Sequence, residues 1–254
     1  FKKDHESLNE QTRKLIRTYL NLLMPLYNLQ QGQVVAKRIF PDRPVRNIDK
    51  FPNAVLPDWS PLFAPDLSNA EYPKGIWSID ANAELTATED QCIFTKKTYK
   101  NFVLDLEFKT AEGTNSGVIV HCSDTENWIP NSVEIQIADD YSEEWSKADG
   151  TWQCAAIFGH LAANKRTVKH PGEWNHYTIT CVDRQIWVVL NGELVNYMDM
   201  SRWLSGSRNP DGTSIPPWLS KPFATLPLEG HIGFQGKHAG APIWFRNMRI
   251  RELR

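Results

Sequence analysis

Two groups of residues in this 254-residue chain have the types and spacing to bind hydroxyls and move protons. The first is Ser132-Val-Glu-Ile-Gln-Ile-Ala138, where Glu134 and Gln136 share one face of an alternating segment and Asp139 and Asp140 follow at its end. A carboxyl, an amide and further carboxyls so spaced can hold polyhydroxylated molecules and act as acid or base. The second is Gly230-His-Ile-Gly-Phe-Gln-Gly-Lys-His-Ala-Gly240, which carries Gln235, Lys237 and His238 on a glycine-rich turn. Glycines around these side chains let backbone and ligand come close, which apolar packing alone does not require. A neutral imidazole at His238 can serve as a base near neutral pH. Glu134, His238 and Asp139 are therefore the candidate catalytic groups, and Gln136, Gln235 and Lys237 the nearest candidate binding groups.

Other motifs add binding capacity more weakly. Asn115-Ser116-Gly117 reads as turn chemistry just before a strand and gains weight only from its company. Aromatic faces stack on the apolar faces of sugar rings, and among ten tryptophans Trp128, Trp145 and Trp152 flank the Glu134 segment in loop-like surroundings. Trp152 is taken as a binding residue, whereas Trp187 and Trp244 sit inside strand patterns. The seven histidines form no H-x-x-x-H pair, and no zinc, P-loop, Rossmann or G-x-S-x-G signature occurs. A net charge of -2 supplies no general attraction for a phosphate backbone, so nucleic acid is not an expected partner.

The elements that must position these residues are strands. After Trp59 the hydrophobic period is two: Phe102, Leu104, Leu106 and Phe108 share one face, with Val103, Asp105 and Glu107 on the other. Gly117–His121, Tyr177–Val182 and Gln185–Leu190 continue the series, and Asn191-Gly192 is a hairpin signal because a type I′ turn needs positive φ twice. Many short strands with little helix between them predict an all-β, jelly-roll β-sandwich of two antiparallel sheets over residues 58–254. The apolar parity switches between Phe245 and Met248, which predicts a bulge near Arg246-Asn247 that re-aims Arg246, a further binding candidate. The segment from Met200 to Leu226 reads as a long loop that walls the site.

Residues 1–57 read separately. Leu15, Ile16, Tyr19, Leu20, Leu22 and Leu23 recur at helical spacing between Glu6 and Met24, giving an amphipathic N-terminal helix, followed by a proline-rich connector from Gln30 to Pro57. The helix is expected to dock on the β domain, with a homo-oligomer through it as the alternative. No run of about 18 apolar residues is present, so no spanning helix is expected. No charged-then-apolar leader opens the sequence at Phe1, so any export signal is expected to have been removed or to lie outside the sequence given. Cys92, Cys122, Cys154 and Cys181 show no C-x-x-C spacing. They leave room for two disulfides, or for Cys122 and Cys181 as small buried strand residues.

The Glu134 segment resembles the Glu-x-Asp-x-x-Glu strand of laminarinase-like retaining glucanases, with Gln136 in place of the middle acid and Asp139 in place of the last. A wider resemblance covers Asp58 to Leu253. Asp58-Trp-Ser-Pro-Leu-Phe63, Tyr99–Phe108, Asn115-Ser-Gly117, Val133-Glu-Ile-Gln-Ile137, Gly172-Glu-Trp-Asn-His-Tyr177, Gly230–Gln235 and Phe245–Leu253 together are similar to the 3-keto-disaccharide hydrolase family, in family order. The family has Leu-Gln-Asp-His-Gly where this chain has Phe234-Gln-Gly-Lys-His-Ala-Gly240. The resemblance implies a concanavalin-like jelly roll, a periplasmic or extracellular location, and cleavage of glycosides oxidised at carbon 3. That chemistry needs a base, Glu134 or His238, and a stabiliser for an enolate: Gln235, Lys237, Arg246 or a divalent cation. Asn115, Gln136 and Asp139 would bind hydroxyls. The competing readings are a non-catalytic carbohydrate-binding module and an ordinary retaining glycosidase.

Overall fold

The period-two alternation is realised as thirteen strands in a computed structural model that describes residues 58–253. The helix expected near Glu6–Met24, its connector and the oligomeric role considered for it lie outside the described residues. In chain order the strands are β1 (Ser60–Pro61), β2 (Ala70–Glu71), β3 (Trp77–Ile79), β4 (Leu85–Ala87), β5 (Ile93–Thr95), β6 (Phe102–Thr110) and β7 (Asn115–Cys122). They continue with β8 (Val133–Ala138), β9 (Trp174–Val182), β10 (Gln185–Leu190), β11 (Glu193–Asp199), β12 (His231–Phe234) and β13 (Ile243–Glu252).

All pairings are antiparallel, and they form two sheets. The larger runs β11-β10-β9-β6-β13-β4-β3, with β1 also on β13, and the smaller runs β2-β5-β12-β7-β8. One face of each sheet is apolar, and the two pack together as the expected sandwich. Phe102, Leu104, Leu106 and Phe108 from β6 meet Val118 and Val120 from β7 and Val133, Ile135 and Ile137 from β8 in one core. Burying each of these side chains contributes about 1.5–3 kcal/mol, which fixes the register, because a one-residue slip would turn the whole set to solvent.

The turn and bulge signals are met. Asn191 and Gly192 both have positive φ, 52° and 84°, between β10 and β11. The register of β13 against β6 shifts between Arg246 and Arg249, with Asn247 at φ 53°. Strand β7 starts two residues earlier than its apolar pattern, because Asn115 and Ser116 are held by cross-strand bonds: Asn115 Oδ1 accepts from Gln136 Nε2, and Ser116 Oγ donates to the Gln235 carbonyl. All four cysteines are free thiols, Cys122, Cys154 and Cys181 buried and Cys92 partly so, and the two-disulfide arrangement does not form.

Candidate functional site

On the outer face of the smaller sheet one transverse row brings the two sequence groups together. Gly117 on β7 stands opposite Gln136 on β8. From the other side the Gln235 backbone N–H donates to the Gly117 carbonyl at 3.0 Å. Phe234 points into the core, so alternation sends the Gln235 side chain to the outer face with Gln136. Two amides therefore flank a residue that has no side chain. Glu134 leans into the gap: a Cβ at Gly117 would stand 2.2 Å from its Oε1 and 2.8 Å from its Cγ. The glycine is what admits the carboxyl.

On the side away from those amides the neighbours of the Glu134 side chain are apolar. Glu134 pairs with Ile119, which packs with Phe94 and Cys122, and with Cys92 and Trp128 at the margin. No hydrogen bond or ion pair from another described residue reaches the Glu134 carboxyl. Burial alone raises its pKa from the ordinary 4.5 to about 8, with no neighbouring carboxylate contributing. The same burial, helped by the Glu134 charge, pushes the Cys92 thiol well up, so it is no nucleophile at neutral pH. The Gln136 amide is inaccessible to solvent. Its Nε2 donates to Asn115 Oδ1 at 3.1 Å and the Trp152 carbonyl at 3.2 Å, while its Oε1 has no partner. The Gln235 side-chain amide and Lys237 Nζ likewise have no partner among the described residues, so both remain available to a ligand.

His238 reaches the same end of the sheet. Its backbone bridges to Asn115, two residues or about 7 Å along β7 from Gly117. Nδ1 donates to Asp90 Oδ2 at 2.7 Å, which leaves Nε2 of the neutral ring as the acceptor. Asp90 comes from the loop before β5, where the Glu89 carbonyl accepts from the Lys237 backbone N–H. That loop lies against Gly236, at which a Cβ would be 2.5 Å from the Gln91 carbonyl oxygen.

Two candidate residues are placed elsewhere. Arg246 lies on β13 in the larger sheet, facing away from the core, where its guanidinium stacks 3.9 Å over Trp174 and its Nε donates to Glu107 Oε2 at 2.8 Å. Arg246 pairs with Glu107 ahead of the register shift, so ordinary alternation after core Phe245, and not the expected re-aiming by the bulge, puts it on that outer face, with the whole sandwich between it and Glu134, which removes it from the candidate site. Asp139 is buried, and both its oxygens are committed to local backbone: Oδ2 accepts from the Gly113 N–H and Oδ1 from the Tyr141 N–H. It builds the turns around β8 and has no free oxygen facing the row. Among the described residues no three His, Cys, Asp or Glu side chains are gathered as a metal ion would need, and no helix is long and apolar enough to cross a membrane.

Trp152 stands beside the site. The segment that follows it pairs along β8, with the Gln136 N–H donating to the Ala156 carbonyl and the Phe158 N–H to the Glu134 carbonyl. Its indole packs on Phe158 and meets the exposed Trp218 edge-on. The loop 200–226 lines a groove with Trp152, through Asn209, Thr213 and Pro216, and that groove includes none of Glu134, Gln235, Lys237 or His238. Sequence reasoning missed Asp90, which a periodic pattern does not single out, and the meaning of Gly117. A glycine within a β-branched run, Gly117-Val-Ile-Val, was the available signal for a close approach.

Comparison with known proteins agrees with this architecture. The family described as 3-keto-alpha-glucoside-1,2-lyase-like domain matches residues 58–251. A curated relative from Bacteroides thetaiotaomicron, named 3-keto-disaccharide hydrolase, is 26% identical over 181 residues, which cover 63% of this chain and 61% of the relative. The chain thus spans less than two thirds of that relative's length. A solved structure from Parabacteroides distasonis, provisionally named a glycosyl hydrolase, is 55% identical with a TM-score of 0.75, covering 77% of this chain and 100% of that one. A second from the same organism, at 21% identity and TM-score 0.63, covers 77% of this chain and 94% of its own and shares the fold.

Proposed function

The chain belongs to the 3-keto-alpha-glucoside-1,2-lyase-like family, and from that premise we propose that it cleaves glycosides carrying a ketone at carbon 3, with Glu134 as the proton-transfer group. The observation that carries this is a single carboxyl, raised to about pKa 8 by burial, unpartnered and flanked by amides. A base poised near the working pH suits abstraction of a moderately acidic carbon proton. The carbon 3 ketone acidifies the proton on carbon 2. Ionised Glu134 takes that proton, and the electrons of the C2–H bond form the enolate across C2, C3 and the ketone oxygen. The free Gln235 amide and Lys237 ammonium stabilise the oxyanion. Collapse of the enolate forms the C1–C2 double bond and breaks the bond from carbon 1 to the departing oxygen, which receives the proton from Glu134. Water activated by His238, itself oriented by Asp90, then adds at carbon 1 and a proton returns to carbon 2.

A retaining glycosidase needs a second carboxyl about 5 to 5.5 Å from the first. A neighbour so close would contribute its charge to the acidity of Glu134, and burial is the only contribution there. Gln136, an amide, stands where such a strand would carry its middle acid. The test is to incubate the protein and its Glu134→Gln variant with a matched pair of glycosides, one native and one oxidised at carbon 3. Cleavage of the keto glycoside alone, lost in the variant, is the expected result. Cleavage of the native glycoside would overturn the reading, and no cleavage of either would point to a binding module.

A further inference from the structure

The groove between the segment Glu144–Ala162 and the loop at Asn209–Pro216 has a volume of about 770 Å³ and is unused by the chemistry above. That volume lies within the range of small-ligand sites. Its charge is one-sided: Glu144, Asp149 and Asp211 line it, and among the described residues no Lys or Arg does. Asp149 Oδ1 accepts from the backbone N–H and the hydroxyl of Thr151, at 2.8 and 2.7 Å, and Asp211 Oδ1 accepts in the same way from Thr213, at 2.9 and 2.6 Å. These bonds hold both carboxyls below the usual range, so both are ionised at neutral pH, and each Oδ2 has no partner among the described residues. They also commit the hydroxyl hydrogens of Thr151 and Thr213, which leaves those two groove-lining oxygens as acceptors.

The groove also holds a buried acceptor. His160 lines it and is only 4% exposed. The imidazole is fixed: its ring stacks 3.9 Å from Phe223, and Nδ1 donates to the Phe158 carbonyl at 2.7 Å. The proton is therefore on Nδ1, and Nε2 is an acceptor with no partner among the described residues. Burial lowers the pKa of this histidine to about 4, so the acceptor persists at neutral pH. A buried acceptor left unpaired in a pocket wall marks the place of a donor. Trp152 adds an aromatic face, steadied by packing on Phe158 at 5.3 Å.

We propose that this groove binds a small organic ammonium ion, with the ammonium donating to His160 Nε2, the Asp149 and Asp211 carboxylates supplying the counter-charge, and the organic body lying on Trp152. Acceptors, negative charge and an aromatic face together favour a cation that carries N–H donors on an apolar body. An anion would meet three carboxylates and no cation. A neutral hydroxyl would pair His160 and leave the charge of the groove unanswered. A bare metal ion fits no better, because among the described residues no three acidic, His or Cys side chains are gathered as it would need. The site stands independently of the reaction proposed at Glu134, which does not line the groove.

The test is isothermal titration calorimetry of the full chain at pH 7 with three probes of similar shape: benzylammonium, the neutral benzyl alcohol, and benzyltrimethylammonium, which keeps the charge without an N–H. Benzylammonium should bind at one site, at least about tenfold more tightly than benzyl alcohol, and more weakly as salt is added. The double variant Asp149→Asn, Asp211→Asn removes two charges at exposed positions, while each asparagine oxygen can still accept from Thr151 or Thr213. It should fold as the parent does and lose about tenfold in affinity for benzylammonium, with benzyl alcohol unchanged. His160→Phe keeps the stack on Phe223 and removes the acceptor. It should weaken benzylammonium several-fold and leave benzyltrimethylammonium as in the parent. Equal binding of benzylammonium and benzyl alcohol, no saturable binding of benzylammonium, or undiminished affinity in the double variant would overturn the site.

Discussion

Replacing Glu134 by Gln removes a carboxyl that the fold keeps protonated, and the size of the resulting change in stability follows from two numbers. In the unfolded chain the group ionises near pH 4.5, and in the folded protein near pH 8. Between those values the folded state holds a proton that the unfolded state has released, so stability falls as pH rises. The loss begins above about pH 4.5 and levels off above about pH 8. A gap of roughly three and a half powers of ten, at about 1.4 kcal/mol each, sets a ceiling near 5 kcal/mol. The side chain is not wholly cut off from water and the ionised form can recruit it, so about 2–3 kcal/mol is the expected share. Glutamine has the same shape and no charge to bury. Urea unfolding of both proteins should therefore show the variant more stable by about 2–3 kcal/mol at pH 9 and by less than about 1 kcal/mol at pH 5. The variant should at the same time lose at least about 10²-fold in cleavage of a keto glycoside. Identical pH dependence of stability in the two proteins would refute the claim that burial holds this carboxyl neutral.

Three further substitutions separate positioning from folding. Gly117→Ala places a methyl group against the Glu134 side chain, which is flexible enough to swing aside. Stability should fall by only about 1 kcal/mol in thermal unfolding, while kcat/KM falls at least about tenfold. His238→Ala breaks a half-exposed pair with Asp90, so it should cost under about 1 kcal/mol of stability yet about 10²-fold in rate, read by unfolding and steady-state kinetics. Arg246→Ala acts on the opposite outer face: kcat/KM should stay within about twofold of the parent, while the lost stacking on Trp174 costs about 1 kcal/mol of stability.

The sandwich was legible in the sequence because its signals are local and periodic. Alternation alone placed Phe102, Leu104, Leu106 and Phe108 inside, the Asn191-Gly192 turn demanded positive φ, and a parity break marked the Asn247 bulge. The site was legible in part. Glu134, Gln136, Gln235 and Asn115 share a face by parity, and adjacent strands bring them together. What alternation cannot give is which strand neighbours which. Arg246 looked near Gln235 because only ten residues separate them in the chain, but β12 and β13 belong to different sheets. Asp139 looked free because its two backbone partners, Gly113 and Tyr141, come from turns whose geometry no period predicts.

The central claim is that Glu134 removes the proton from carbon 2 of a 3-keto glycoside, and running the reaction in heavy water tests it most directly. Mass spectrometry of the released 3-keto sugar, corrected for exchange without enzyme, should show solvent deuterium at carbon 2 in the product of the parent protein, and cleavage of the native glycoside should be absent. Cleavage that leaves the original hydrogen on carbon 2, or equal cleavage by the Glu134→Gln variant, would contradict it.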